Sequence, residues 1–166
     1  MRVDVATDWR WADGYLPAIH RILKANAFHL IDFEIADTNA DLKQATDMII
    51  NIRGKMSIAV RLRRPKYDYR DLTIRAWREG NIETELQKIE RGFADVYFYG
   101  WTNANMMIPE WMLIDVNRLR FSGLLAAYPI TRNRDQRTGF IAIPHSALHE
   151  AGCVIASTVH GGVIAR

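Results

Sequence analysis

Residues 46–64 read TDMIINIRGKMSIAVRLRR, two β-prone apolar runs separated by a Gly-Lys pair. The Gly-Lys pair predicts a reversal of the chain, so the two runs are expected to form neighbouring strands. Asp47 opens the first run, and Arg61, Arg63 and Arg64 lie at the end of the second. The stretch therefore predicts an acid at the start of one strand and cations on the strand beside it.

The pattern of apolar residues outside this stretch predicts alternating helices and strands. Helices are expected at residues 13–26 and 81–92, with a short one near 146–151. Strands are expected at residues 28–36, 47–52, 57–63, 71–77, 94–101, 111–116 and 140–144, and another apolar run follows at 153–158. No repeat or linker divides the chain. The sequence thus predicts a single α/β domain, residues 1–166, with a central mixed β-sheet flanked by helices.

The composition is that of an ordinary globular protein. Of the 166 residues, 49% are hydrophobic and 25% are charged, which argues against wholesale disorder. No apolar run approaches the roughly 18 residues that span a bilayer. The first residues lack the apolar core of a secretion signal, and Cys153 is the sole cysteine, so a reducing, cytoplasmic location is expected.

The net charge of +3 is unevenly distributed. Residues 53–78 hold 9 basic and 2 acidic groups, a local charge of +7, whereas residues 1–52 carry −3 and residues 79–166 carry −1. A concentrated positive field recruits polyanions, and arginine grips phosphate oxygens in a bidentate manner. The central stretch therefore indicates a nucleic-acid partner, with DNA as the expected one.

The order of helix, three strands, helix and strand, with Asp47 heading the second strand, resembles the PD-(D/E)XK nuclease superfamily, or restriction-endonuclease-like fold. That family has an αβββαβ core, an Asp at the start of its second strand and a (D/E)-x-K element on its third. Ala59-Val60-Arg61 falls at the position of this element, so Arg61 replaces the lysine and Ala59 the acid. The resemblance covers roughly residues 13–101, and the later strands would be C-terminal β additions.

The resemblance implies a metal-dependent endonuclease that hydrolyses DNA phosphodiesters with Mg²⁺. Asp47 would hold the ion and Arg61 would stabilise charge on the phosphate. Because Mg²⁺ prefers several oxygen ligands and Ala59 offers none, a second carboxylate is expected to have moved to Glu34 or Asp41. The implied catalytic residues are Asp47, Arg61 and Glu34, and the implied metal ligands are Asp47, Glu34 and Asp41.

Nucleic-acid contacts are assigned to Arg63, Arg64, Lys43, Arg75 and Lys66. Arg61 and Arg63 share one face of their strand, and burial of two arginines is costly unless they are paired. We therefore expect that face to line an open groove or to meet a partner. Small members of the family often dimerise on DNA, which implies a homodimer.

Two alternatives remain open at this point. The chain could be a catalytically inactive descendant that binds DNA or another protein, with Ala59 as the mark of lost chemistry. It could also be a phage or mobile-element accessory protein that binds no nucleic acid. His145 and His149, four residues apart, would face the same way on a helix and could bind zinc, but without a third ligand we interpret them as surface histidines.

Overall fold

The computed structural model describes residues 11–26, 32–35, 48–51, 57–66, 69–80, 82–159 and 164–165. The strands are β1 (Asp32–Ile35), β2 (Met48–Asn51), β3 (Ile58–Arg63), β4 (Asp71–Arg78), β5 (Val96–Trp101), β6 (Glu110–Asp115), β7 (Thr131–Arg132), β8 (Thr138–Pro144), β9 (Val154–Ser157) and β10 (Ile164–Ala165). The helices are α1 (Leu16–Ala25), α2 (Glu85–Glu90), α3 (Val116–Phe121), α4 (Leu124–Ala127) and α5 (His145–Glu150). None of the helices in these ranges is long and apolar enough to cross a membrane.

A five-stranded sheet with the order β10-β9-β6-β5-β3 forms the centre of the molecule. Strands β3 and β5 run parallel, with Ile58 opposite Val96 and Arg63 opposite Trp101, and the other pairs are antiparallel. Every residue of β5 is buried, as expected for a strand that is covered on both faces. The sheet is therefore mixed, as the sequence predicts.

The two faces of β5 contact different layers. Phe98 packs with Tyr15 and Ile19 at the start of α1. Tyr97 and Tyr99 point the opposite way, into the cluster that holds the second sheet. Because successive side chains of a strand point to opposite faces, the aromatic residues of β5 pack against α1 on one face and against the second sheet on the other.

The second sheet is three-stranded and antiparallel, with the order β4-β8-β7. Leu72, Ile74, Ile141 and Ile143 are fully buried in the cluster that contains Tyr99. Complete burial of each such side chain stabilises the folded protein by about 1.5–3 kcal/mol. These four residues therefore contribute strongly to the packing of the two sheets against each other. The described residues thus form one α/β domain with helices on its outer faces.

The hairpin predicted from the Gly-Lys pair is not how the described strands are arranged. β2 pairs with β1, with Glu34 opposite Ile49, and β3 instead pairs in parallel with β5. In this arrangement Ile58 and Leu62 of β3 pack against the hydrophobic cluster that contains Ile19 of α1. Residues 52–56, the predicted turn, lie outside the described ranges.

Helix α2 begins later than the sequence pattern predicts. The Thr84 side chain accepts a hydrogen bond from the Gln87 backbone, and the Gln87 side chain accepts one from Thr84, which makes a capping box. Gly92, with φ of +82°, follows the last turn, in the left-handed conformation that favours glycine. The cap places Glu85 in the first turn of the helix.

Candidate functional site

Glu85 receives hydrogen bonds from three directions between the two sheets. Arg61 of β3 and the hydroxyl of Tyr97 donate to its two carboxylate oxygens. The backbone N–H of Arg75 on β4 donates to Oε2 at 2.9 Å. The carboxylate therefore ties β3, β4 and β5 to the first turn of α2, where the helix dipole also favours a negative charge.

Burial disfavours the charged form of Arg61, but Glu85 and the oxygens of Tyr97 and Tyr99 outweigh it and raise the pKa of the guanidinium. The pKa of Tyr97 is raised because its ring is buried and because the Glu85 carboxylate is beside its hydroxyl. Arg61 thus stays positive and Tyr97 stays a neutral donor at every physiological pH. The ion pair is a permanent feature and not a switch.

A second group of contacts lies next to the first. The Arg63 guanidinium donates to Asp71 and Thr73 of β4 through Nη2, and its Nε donates to the Tyr99 hydroxyl at 3.1 Å. The hydroxyls of Thr73 and Tyr99 are 2.8 Å apart. The Arg63 side chain is 10% exposed, so its charge is matched inside the protein.

The residues of these two groups connect the β3 edge of one sheet to the β4 edge of the other. We call them the polar seam: Arg61, Arg63, Asp71, Thr73, Glu85, Tyr97 and Tyr99. The expectation of an open groove along this face is wrong, because the face is packed and both arginines are paired within the chain. Asp71 and Glu85 supply the pairing that makes burial of the two arginines possible.

Most of the predicted metal ligands lie outside the described ranges or are placed only by their backbone. Asp47, Asp41 and Lys43 lie outside the described ranges, and Glu34 is placed only as a backbone position in β1. Among the described residues, no group of three or more His, Cys, Asp or Glu side chains could hold a metal ion. The described side chains therefore do not form a Mg²⁺ site, and Mg²⁺, the homodimer and the catalytic roles stay predictions.

The other predicted nucleic-acid contacts differ in their surroundings. The Arg64 guanidinium lies over the Trp11 ring, 4.8 Å from its centroid, and Lys66 is exposed in the turn after β3. Arg75 is exposed on β4. Arg70, in the same basic stretch, makes an ion pair with Glu110. Three arginines of the +7 stretch, at positions 61, 63 and 70, are thus matched by carboxylates within the chain.

Exposed arginines gather at one end of the three-stranded sheet. Arg78 ends β4, Arg132 lies on β7, and Arg134 and Arg137 lie in the turn between β7 and β8. The pairing of Arg78 with Thr138, and of Arg132 with Gly139, brings these segments side by side. We call these four residues the arginine-rich end.

Trp77 and Gly139 determine where the Arg132 side chain lies at this end of the sheet. Both Trp77 and Arg132 pair with Gly139 of the strand between them. A Cβ at Gly139 would lie 3.3 Å from Cδ of Arg132 and 3.0 Å from a methyl group of Ile130. Without that atom, the Arg132 guanidinium reaches over the indole, 3.2 Å from its centroid, in a cation–π contact. The ring thereby holds Arg132 in place.

Charge counted along the chain places Arg78 in the basic stretch but does not single out Arg132, Arg134 and Arg137. Residues 79–166 are almost neutral as a whole, so the arginines of the β7–β8 turn do not stand out. Pairing of β4 with β8 joins them to the basic stretch. The spacing R-N-R-D-Q-R at residues 132–137 was the available signal.

The chain matches no protein-family model, no curated protein and no solved structure.

Replacement of Tyr97 by phenylalanine is expected to change how stability depends on pH. Since the folded state raises the pKa of Tyr97 above the usual 10.0, its contribution is complete below about pH 10 and is lost as pH rises further. The unfolding free energy of the wild type should therefore fall more steeply above pH 10 than that of Tyr97→Phe, by up to about 1.4 kcal/mol per pH unit. Denaturant titrations from pH 8 to 11 measure both slopes. Parallel curves would show that the tyrosine titrates normally.

Proposed function

We propose that this protein binds DNA through the arginine-rich end of its three-stranded sheet. The observation that carries the proposal is the concentration of exposed guanidinium groups at residues 78, 132, 134 and 137. Arg78, Arg132 and Arg134 make no ion pair with any described residue, and Arg137 has a loose one with Glu79 at 3.9 Å. These charges are therefore open to an anionic partner.

The arginines of the polar seam, unlike those of the arginine-rich end, are already paired with carboxylates. Arg61 and Arg63 are matched by Glu85 and Asp71, so a phosphate would have to displace a carboxylate from each of them. No such exchange is needed at Arg78 or Arg134. Phosphate oxygens attract guanidinium groups through charge and bidentate hydrogen bonds, and release of condensed counterions adds to the affinity.

The contact with Trp77 restrains the Arg132 side chain before DNA binds, and this restraint favours binding. A free arginine loses side-chain freedom when it grips a phosphate, whereas Arg132 is already restrained against Trp77. Arg75, exposed on the same strand as Arg78, extends the positive surface along β4. Contacts to phosphate do not depend on base sequence, so such a surface would bind DNA with little sequence preference.

Fluorescence anisotropy tests the proposal with labelled duplex and single-stranded DNA at low salt. We expect saturable binding to at least one form, with little dependence on its base sequence. Absence of binding to both forms would overturn the proposal and would favour the alternative of an interaction module without a nucleic-acid partner.

Metal-dependent cleavage of DNA is the second candidate function. It is favoured by the parallel pair β3 and β5, with α2 between them in the chain. Against it, four described strands, β1 to β4, lie between α1 and α2, where the αβββαβ core has three, and β4 belongs to the second sheet. Asp47 would be the metal ligand.

Cleavage is tested on labelled linear, nicked and four-way-junction DNA with Mg²⁺ or Mn²⁺. If the protein is a nuclease, we expect cutting that requires the metal and is abolished in Asp47→Ala. Binding that survives this substitution, without cutting in the wild type, would leave DNA binding as the function and indicate that the chemistry was lost with the acid at position 59.

A further inference from the structure

The side chains of His145 and His149 meet on one face of α5. They are four residues apart, the spacing that brings two helical side chains together. Their Nε2 atoms are 2.9 Å apart, and the rings are edge to face with centroids 4.3 Å apart. The expectation of two ordinary surface histidines is wrong for His145, which is 4% exposed, whereas His149 is half-buried.

The fold fixes the position of this pair. β8 ends at Pro144, and the N–H of His145 donates to the carbonyl oxygen of Arg70 at 3.3 Å, which anchors the start of the helix. The hydroxyl of Ser157, on β9, lies 3.4 Å from Nε2 of His145. Ser157 is itself fully buried and accepts a hydrogen bond from the N–H of Val159. His145 is therefore held from three elements, and His149 connects it to the surface.

We propose that His145 and His149 form a binding site for a divalent transition-metal ion such as Zn²⁺ or Ni²⁺. Bonds from zinc to imidazole nitrogen are about 2.0–2.1 Å, so two such bonds at 90–110° span roughly 2.9–3.4 Å. The observed separation of 2.9 Å lies at the lower end of this range. Both nitrogens are Nε2, so one ion between the rings can contact the two histidines with little movement of either.

The chemistry of the pair decides which ions fit. Neutral imidazole suits Zn²⁺, Ni²⁺ and Cu²⁺, whereas Mg²⁺ and Ca²⁺ prefer oxygen ligands. In the hydrogen-bonded pair one ring carries its proton on Nε2, and that proton must move to Nδ1 of the same ring when the metal binds.

Isothermal titration of untagged protein with NiCl₂ or ZnCl₂ tests the site. We expect saturable binding, together with a rise in the melting temperature of roughly 5–10 °C at a metal concentration about 100 times the dissociation constant. His149→Ala should weaken binding by at least about tenfold, since loss of even an outer-shell partner has an effect of that size. The matched control is His20→Ala, a lone exposed histidine on α1, which should leave the affinity unchanged.

A second variant separates the loss of a ligand from the loss of folding. His149→Gln keeps a polar side chain that can still hydrogen-bond to His145, and circular dichroism shows whether it is folded. Weakened binding by a folded His149→Gln supports the site. An affinity unchanged in both His149 variants, or no binding of Ni²⁺ or Zn²⁺ by the wild type, would overturn it.

Discussion

Charge reversal at Arg78 and Arg134 is expected to weaken DNA binding about 100-fold. A hydrogen bond to a charged group contributes about 1.5–3 kcal/mol, and 1.4 kcal/mol corresponds to a factor of ten. The two substitutions, Arg78→Glu and Arg134→Glu, remove two contacts and place two carboxylates against the phosphates. Both side chains are exposed and have no ion pair with a described residue, so the fold should be little affected. Anisotropy titrations at one fixed salt concentration measure the change.

The matched control reverses two charges elsewhere. Arg21 and Lys24 are exposed on α1, which packs on the opposite face of the five-stranded sheet. Arg21→Glu with Lys24→Glu changes the net charge by the same amount as the test variant. If DNA binding depends on the arginine-rich end, the control should lose less than a few-fold in affinity. Equal losses in both variants would mean that only the total charge matters.

Replacement of Glu85 by alanine is expected to destabilise the protein by about 2–3 kcal/mol. The substitution leaves Arg61, the Tyr97 hydroxyl and the backbone N–H of Arg75 without their acceptor. Breaking a buried ion pair costs about 3–5 kcal/mol, and the Arg61 side chain, at 32% exposure, recovers part of this through water. Thermal unfolding should show a drop in the melting temperature of roughly 5–10 °C.

Glu83 provides the control for this prediction. It lies just before the same helix and makes an ion pair with Arg91, but the two side chains are 38% and 71% exposed. Exposed pairs contribute about 0–1 kcal/mol, so Glu83→Ala should change stability by less than half as much. Similar losses for the two variants would show that the polar seam is no stronger than a surface ion pair.

Much of the fold follows from local patterns in the sequence. The alternation of residues 94–101 predicts a central strand, and β5 is buried on both faces. Cys153, at the start of the apolar run 153–158, lies in the main core. These features could be predicted because strand periodicity and burial of apolar residues depend on neighbouring positions in the chain.

The pairing of strands could not be predicted in the same way. The Gly-Lys pair favours a hairpin, yet β3 pairs with β5, more than 30 residues later in the chain. The carboxylates that match Arg61 and Arg63 come from α2 and β4, so the polar seam exists only once the two sheets have packed. Charge counted along the sequence likewise does not reveal the arginine-rich end, which β4, β7 and the turn between β7 and β8 assemble in space.

The salt dependence of DNA affinity in the wild type and in Arg134→Gln tests the central claim most directly. Each neutralised phosphate contributes about −0.9 to the slope of log affinity against log salt concentration, so the four residues of the arginine-rich end predict a slope of about −3 to −4. Arg134→Gln should make that slope shallower by about 0.9. Binding that does not respond to salt, or a slope that Arg134→Gln leaves unchanged, would contradict the assignment of DNA binding to this end of the sheet.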